Sequence, residues 1–199
     1  MKKRLLSLLV ALCMAVTLLP VSAITAWAEG GGQLKIKNGY PVGSGNNHDK
    51  DCSGDDWSYD ASTQTLDLHP DSPTEYDLTD RGSIRQDQNS ILCSAIIGEN
   101  ATIKNGDFWN TVNPDSSITN YGTITSGGYD MPVVNHGTIT GGKFRSAITN
   151  ESNGTIENGT FLSTVTNNGI IEGGIFSKKP DGGKVADGYT LNVESPDAN

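Results

Sequence analysis

The chain has 199 residues, with 14 Lys and Arg against 23 Asp and Glu, and a formal net charge of −9. This length fits one domain or at most two small ones. The acidic balance argues against a nucleic-acid partner, because a polyanion is bound by clustered Lys and Arg, and such a cluster occurs only in the first four residues. Only 35% of the residues are hydrophobic and 24 are glycine, so the composition disfavours a large helical core.

Residues 1–28 have the order of a secretory signal peptide. A basic start at residues 2–4 precedes an apolar run over residues 5–19, and the small residues Ala26 and Ala28 follow. The apolar run is shorter than the roughly 20 residues of a membrane anchor, and no later segment is longer. Cleavage after Ala28, or after Ala23 as the alternative, predicts a secreted, extracellular protein without a transmembrane segment. Removing the first 28 residues takes the net charge from −9 to −12.

Residues 29–97 predict N-terminal strands and a hairpin that lead into the first rungs of a coil. Residues 34–36 alternate in polarity and end at the turn signal Asn38-Gly39. Residues 57–61 and 65–68 alternate in the same way on either side of a polar turn, which is typical of a β-hairpin.

The same region contains a partial match to a calcium-binding loop. Asp49, Asp51, Ser53 and Asp60 have the spacing of oxygen ligands that wrap one ion, although Asp60 stands where a longer glutamate is usual. The alternative is a solvated acidic turn. No other cofactor is indicated by the sequence.

Two cysteines, Cys52 and Cys93, remain after removal of the leader. An oxidising compartment would permit one disulfide between them, and two unpaired thiols are the alternative.

Residues 98–180 contain five copies of the pattern Ile-x-x-Gly-x-aromatic, whose isoleucines are Ile103, Ile124, Ile139, Ile156 and Ile171. The isoleucines are separated by 21, 15, 17 and 15 residues, so the basic unit has 15 residues and some units carry insertions. Four units also contain an aliphatic-x-Asn triplet, ending at Asn120, Asn135, Asn150 and Asn167. A repeat this short indicates a solenoid whose units bury an apolar face only by stacking.

The spacing of apolar residues within one unit predicts the shape of the coil. Ile124, Tyr129, Val133 and Ile139 are 5, 4 and 6 residues apart, which fits neither a helix nor a long strand. It fits three short sides with one large apolar residue on each. We therefore predict an all-β fold, a parallel β-solenoid (a single-stranded β-helix of about 15 residues per rung) preceded by a β-hairpin region. Glycines would form the corners, the asparagines would stack as an amide ladder, and residues 181–199 would form a tail or cap.

The segment Asp56-Trp57-Ser58-Tyr59-Asp60, followed by these repeats, resembles the opening of secreted β-helical proteins of Gram-positive gut bacteria that carry a carbohydrate-binding-domain label. The resemblance implies export and an architecture of stacked rungs, with a glycan as the ligand class.

The stacked rungs predict an outward column after each aromatic residue that contains Trp109, Asp130 and Arg145. An exposed indole beside polar groups can stack on a sugar ring, so we predict ligand binding at Trp109, Asp130, Lys143 and Arg145. This column has one carboxylate, whereas glycoside hydrolysis uses a pair.

The sequence thus favours a non-catalytic, surface-exposed binding or structural module, adhesin-like or glycan-binding, whose partner is a glycan or another surface macromolecule. The alternatives are a β-helical carbohydrate-active enzyme of the polysaccharide lyase or hydrolase type, and a ligand-free stalk or spacer. An uncapped terminal rung would also permit end-to-end self-association.

Overall fold

The computed structural model of the protein describes residues 34–37, 39–45, 48–78, 90–109, 113, 115–182, 184–185 and 192–193. The predicted signal peptide and most of residues 186–199 lie outside this part of the chain. The described residues contain only strands, turns and irregular segments, and none forms a helix that could cross a membrane.

The structure confirms the predicted parallel β-solenoid. Three sheets form the three sides of a coil, and between β5 and β22 strands three apart in chain order pair in parallel. The first side contains β3 (Cys52–Ser53), β4 (Trp57–Asp60), β5 (Thr65–Leu68), β8 (Ser94–Ile97), β11 (Ile118–Asn120), β14 (Val133–Asn135), β17 (Ile148–Asn150) and β20 (Val165–Asn167).

The second side contains β6 (Thr74–Asp77), β9 (Ala101–Asn105), β12 (Thr123–Ile124), β15 (Thr138–Ile139), β18 (Thr155–Ile156), β21 (Ile170–Ile171) and β23 (Lys184–Val185). The third side contains β7 (Ser90–Ile91), β10 (Asp107–Phe108), β13 (Gly128–Tyr129), β16 (Lys143–Phe144), β19 (Thr160–Phe161), β22 (Ile175–Phe176) and β24 (Asn192–Val193). Strands β1 (Ile36–Lys37) and β2 (Tyr40–Pro41) form a separate antiparallel hairpin.

The coil extends beyond the part of the sequence where the repeat is visible. Strands β5, β6 and β7 already form one rung, because β5 pairs in parallel with β8, β6 with β9, and β7 with β10. Before this rung the strands of the first side pair in antiparallel, β3 with β4 and β4 with β5. The pair of β4 and β5 is the predicted hairpin. At the other end, β23 and β24 continue the parallel pairing beyond residue 180.

Each side contributes one large apolar side chain per rung to the core. The repeat isoleucines are at most 1% exposed, and the aromatic residues of the repeat are equally buried. These aromatic rings, from Phe108 to Phe176, form one column with centroid separations of 4.7–5.4 Å. The spacing matches the roughly 4.8 Å between hydrogen-bonded strands, so backbone register places the rings face to face.

The corner before each aromatic residue depends on glycine. Gly127 and Gly142 have φ values of +116° and +108°, in a region that residues other than glycine rarely adopt. The sequence pattern Gly-x-aromatic is therefore the signature of a left-handed corner followed by an inward ring.

The predicted asparagine ladder is formed and fully buried. The amide nitrogen of Asn120 donates to Asn135 Oδ1, Asn135 donates to Asn150, and Asn150 donates to Asn167, each at 2.7 Å. The same nitrogens also donate to backbone carbonyls at the next corner, as Asn135 does to Gly137 at 3.2 Å. The ladder thus satisfies buried polar groups by linking consecutive rungs.

We expect Asn135→Ala to lower the free energy of unfolding by about 2–4 kcal/mol, because it removes the partner of the amide above and of the amide below. Urea denaturation measures this loss. Thr149→Ala, an outward residue of the next rung, is the control and should change stability by less than about 0.5 kcal/mol. Equal losses in the two variants would show that the ladder adds nothing beyond packing.

Candidate functional site

Three of the predicted ligand-binding residues lie in one column at the corner after the third side. The backbone ladder continues past the strand ends there, with Asp130 N donating to Phe108 O and Arg145 N to Tyr129 O, both at 2.8 Å. Trp109, Asp130 and Arg145 therefore follow one another on consecutive rungs. Phe108 points into the core and Trp109 points out, with 45% of its surface exposed.

A second outward column runs beside the first, on the third side itself. The register aligns Asp107 with Gly128 and Gly128 with Lys143. The fourth predicted residue, Lys143, is therefore a neighbour of Arg145 in a two-column array. We call Asp107, Trp109, Asp130, Lys143 and Arg145 the Trp109 face.

Gly128 forms the floor of the Trp109 face. A methyl group added to it would collide with Asp107 Oδ1 and lie 3.4 Å from Arg145 Nη1, so both charged side chains extend over this glycine. Arg145 Nη1 also contacts Asp130 Oδ1 at 3.1 Å. The guanidinium of Arg145 is thus paired with Asp130 and lies over the same glycine as the carboxylate of Asp107.

The charges of the Trp109 face balance, with two carboxylates against Lys143 and Arg145. This local neutrality contrasts with the net charge of −9 for the chain. The Arg145–Asp130 pair is partly exposed and contributes at most about 1 kcal/mol to stability, so a ligand can compete for these groups at small cost. The face offers both hydrogen-bond donors and acceptors beside one indole ring.

Asp107, which belongs to the Trp109 face, and Gly128, which forms its floor, were not among the residues predicted from the sequence. The repeat does mark both positions, because each is the variable residue of Gly-x-aromatic. Recognising it requires knowing that this position points outward, next to the column that follows the aromatic residue.

In the predicted calcium loop, the side chains of Asp51 and Asp60 accept hydrogen bonds from the turn of their own hairpin. Asp51 Oδ1 accepts the backbone N–H of Ala61 at 2.9 Å, and Asp60 Oδ1 accepts the N–H and the hydroxyl of Ser62 at 2.8 and 2.7 Å. The hydrogen bonds from Ser62 lower the pKa of Asp60.

Ser53 lies in β3 and pairs with Ser58, so it belongs to a sheet rather than to an ion-binding loop. Within the described residues, no three acidic, histidine or cysteine side chains, Asp49 included, converge on a position for a metal ion.

Cys52 and Cys93 are free thiols in the structure, which agrees with the second of the two alternatives, unpaired thiols rather than a disulfide. Cys52 lies in β3, Cys93 immediately precedes β8, and β4 and β5 lie between them in the sheet order. Two strands therefore lie between the cysteines in the sheet, although the charge of Cys52 still contributes to the raised pKa of Cys93.

Both thiols titrate above their ordinary range. Burial raises the pKa of Cys93 to about 12, and burial together with the charge of Asp51 raises the pKa of Cys52. Since the thiolate is the nucleophile, both groups are poorly reactive at neutral pH, Cys93 more so.

Comparison with known proteins identifies no relative: no family model, no curated protein and no solved structure matches the chain. The residues and their geometry are therefore the basis for any functional assignment.

We expect iodoacetamide at pH 8 to label Cys52 slowly in the native chain and Cys93 only after unfolding, because Cys93 is buried and its pKa is high. Mass spectrometry with and without urea measures the two rates. A chain that takes no label in urea until a reductant is added would contradict the free-thiol structure.

Proposed function

We propose that the chain is a secreted, non-catalytic module that binds neutral glycans through the Trp109 face. The observation that carries the proposal is the exposed indole of Trp109 beside a balanced set of charged groups on consecutive rungs. The flat face of an indole packs against the C–H groups of a sugar ring, and the surrounding groups can exchange hydrogen bonds with its hydroxyls.

Charge balance favours a neutral ligand over an acidic one. A carboxylated glycan would gain from Lys143 and Arg145 but would meet Asp107 and Asp130 on the same surface. Hydroxyl groups can both donate and accept, so they suit a face with two carboxylates and two cations.

The leader and the resemblance to secreted β-helical proteins support an extracellular role. On a cell surface such a module would act as an adhesin-like contact, with a rigid coil presenting the Trp109 face. A glycan attached to a surface macromolecule is then the partner.

The hydrolase form of the competing enzymatic function needs a carboxylic acid held protonated near a second carboxylate. Asp130 is instead paired with Arg145 at 3.1 Å, and Asp107 is exposed. This arrangement favours binding over acid catalysis. The stalk or spacer hypothesis, by contrast, assigns no ligand to the Trp109 face.

We expect Trp109→Ala to weaken glycan binding at least about tenfold, because a central aromatic contact commonly contributes 2 kcal/mol or more. The purified secreted chain is applied to an array of host and microbial glycans, and affinities for the positives are measured by calorimetry. Val42→Ala is the matched control, because Val42 is a comparably exposed apolar residue on the N-terminal hairpin, at 52%.

Three outcomes of this experiment separate the proposed functions. Binding lost in Trp109→Ala and kept in Val42→Ala supports the glycan module. Release of oligosaccharide in the same wells would instead support an enzyme. Failure of the unmodified chain to bind any glycan would favour the stalk.

A second variant tests the floor of the Trp109 face. We expect Gly128→Ala to weaken glycan binding several-fold, because the added methyl group displaces the flexible carboxylate of Asp107 from its position near Arg145. Unfolding free energy should change by less than about 1 kcal/mol, since the displaced group is a surface side chain. Thr160→Ala, in the same column, is the control. Unchanged affinity in Gly128→Ala would remove Asp107 from the site.

A further inference from the structure

A second aromatic surface lies at a different corner of the coil, after the asparagine ladder. The rings of Tyr121 and His136 are stacked with centroids 4.8 Å apart and planes 9° from parallel. Each follows a ladder asparagine, so the two rings occupy consecutive rungs of one outward column. None of the residues at this corner belongs to the Trp109 face.

Tyr121 remains partly exposed despite its stack with His136. His136 covers one of its two faces, yet 45% of Tyr121 remains exposed. The preceding rung places Gly98 in this column, because Ile97 pairs with Asn120. Gly98 has no side chain to cover the second face, and a methyl group there would collide with the carbonyl oxygen of Leu68.

Two longer turns flank the stacked rings. Most rungs have three residues between the first side and the repeat isoleucine, but the rungs on either side of Tyr121 and His136 have five. The extra residues form turns closed by Ala101 N to Gly98 O at 2.9 Å and by Gly154 N to Glu151 O at 2.8 Å. In the second turn Asn153 Oδ1 contacts His136 Nδ1 at 3.3 Å, which holds the imidazole ring in place.

We call residues 98–101, 121–122, 136–137 and 151–154 the Tyr121 corner. It contains the carboxylates of Glu99 and Glu151 together with amide and hydroxyl groups, and its sequence includes neither Lys nor Arg. An anionic ligand would therefore be repelled. A neutral polyol, or one that carries an ammonium group, meets hydrogen-bonding groups and an electron-rich ring face.

We propose that the Tyr121 corner is a second carbohydrate site, which stacks one sugar ring of a neutral or amino-bearing glycan on the ring face of Tyr121 opposite His136. The proposal shares only its ligand class with the proposed function, because the two sites have no residue in common. Two sites at different corners of one rigid coil make the module bivalent, and a branched or clustered glycan that reached both would gain in avidity.

The test follows the aromatic signals of each site separately by NMR in the full secreted chain. The probes are the β-1,4-linked tetramers of glucose and of glucosamine and the α-1,4-linked tetramer of galacturonic acid, which are neutral, cationic and anionic. We expect the ring signals of Tyr121 and His136 to shift saturably with the glucose or glucosamine tetramer and not with the galacturonic acid tetramer. Tyr121→Ala should abolish the shift at His136, whereas Tyr121→Phe, which keeps the ring, should retain it.

The outcomes distinguish the two sites. Shifts at Tyr121 and His136 without shifts at Trp109 support the Tyr121 corner and refute the Trp109 face as a site for these probes. Shifts at Trp109 alone overturn the second site and leave the proposed function intact. A stronger response to the galacturonic acid tetramer at Tyr121, or a His136 shift that survives Tyr121→Ala, also overturns the proposal.

Discussion

The parallel backbone register between rungs is the constraint on which the rest of the structure depends. It places residues at equivalent positions roughly 4.8 Å apart, on the inside and on the outside alike. Inside, the register produces a continuous stack of aromatic rings and a line of isoleucines. Outside, it places Trp109 next to Asp130 and Tyr121 next to His136, although each pair is distant in sequence. Both proposed binding surfaces therefore depend on the same backbone hydrogen bonds that build the core.

The asparagine ladder adds a direction to this stacking. The first three side-chain amides each donate to the next asparagine toward the C-terminal end, and Asn120 Oδ1 at the other end is buried without a hydrogen-bond partner in the structure. The corresponding residue of the preceding rung is Ile97, which has no polar side-chain atom. The ladder thus begins one rung after the first copy of the Ile-x-x-Gly-x-aromatic pattern. It is a feature of the repeat itself and is separate from the N-terminal hairpins.

Much of the fold could be predicted, because the spacing of apolar and polar residues in the repeat shows which side chains point inward and which point outward. The isoleucines, the aromatic residues and the ladder asparagines are all buried as their spacing indicated. The repeat pattern alone does not give the exact strands of the rung formed by β5, β6 and β7, because Tyr76 stands where later rungs have isoleucine and this rung lacks the Gly-x-aromatic corner. For the candidate site, periodicity predicts the column through Trp109. The role of Gly128 under the charged side chains can be recognised only when the two outward columns are aligned side by side. Whether the two cysteines pair could not be predicted, because their separation in sequence does not show how many strands lie between them in the sheet.

The unequal rung lengths bear on how such a chain can change over evolutionary time. Two extra residues at a corner leave the inward positions untouched, since the neighbouring strands keep their pairing on either side of the insertion. Insertions and deletions at the corners are therefore nearly neutral for folding while they reshape the outer surface. A scaffold of this kind separates the residues under selection for stability from those free to vary for recognition. Its corners can diversify in much the way that loops do on a β-sandwich, and each additional rung offers another three corners.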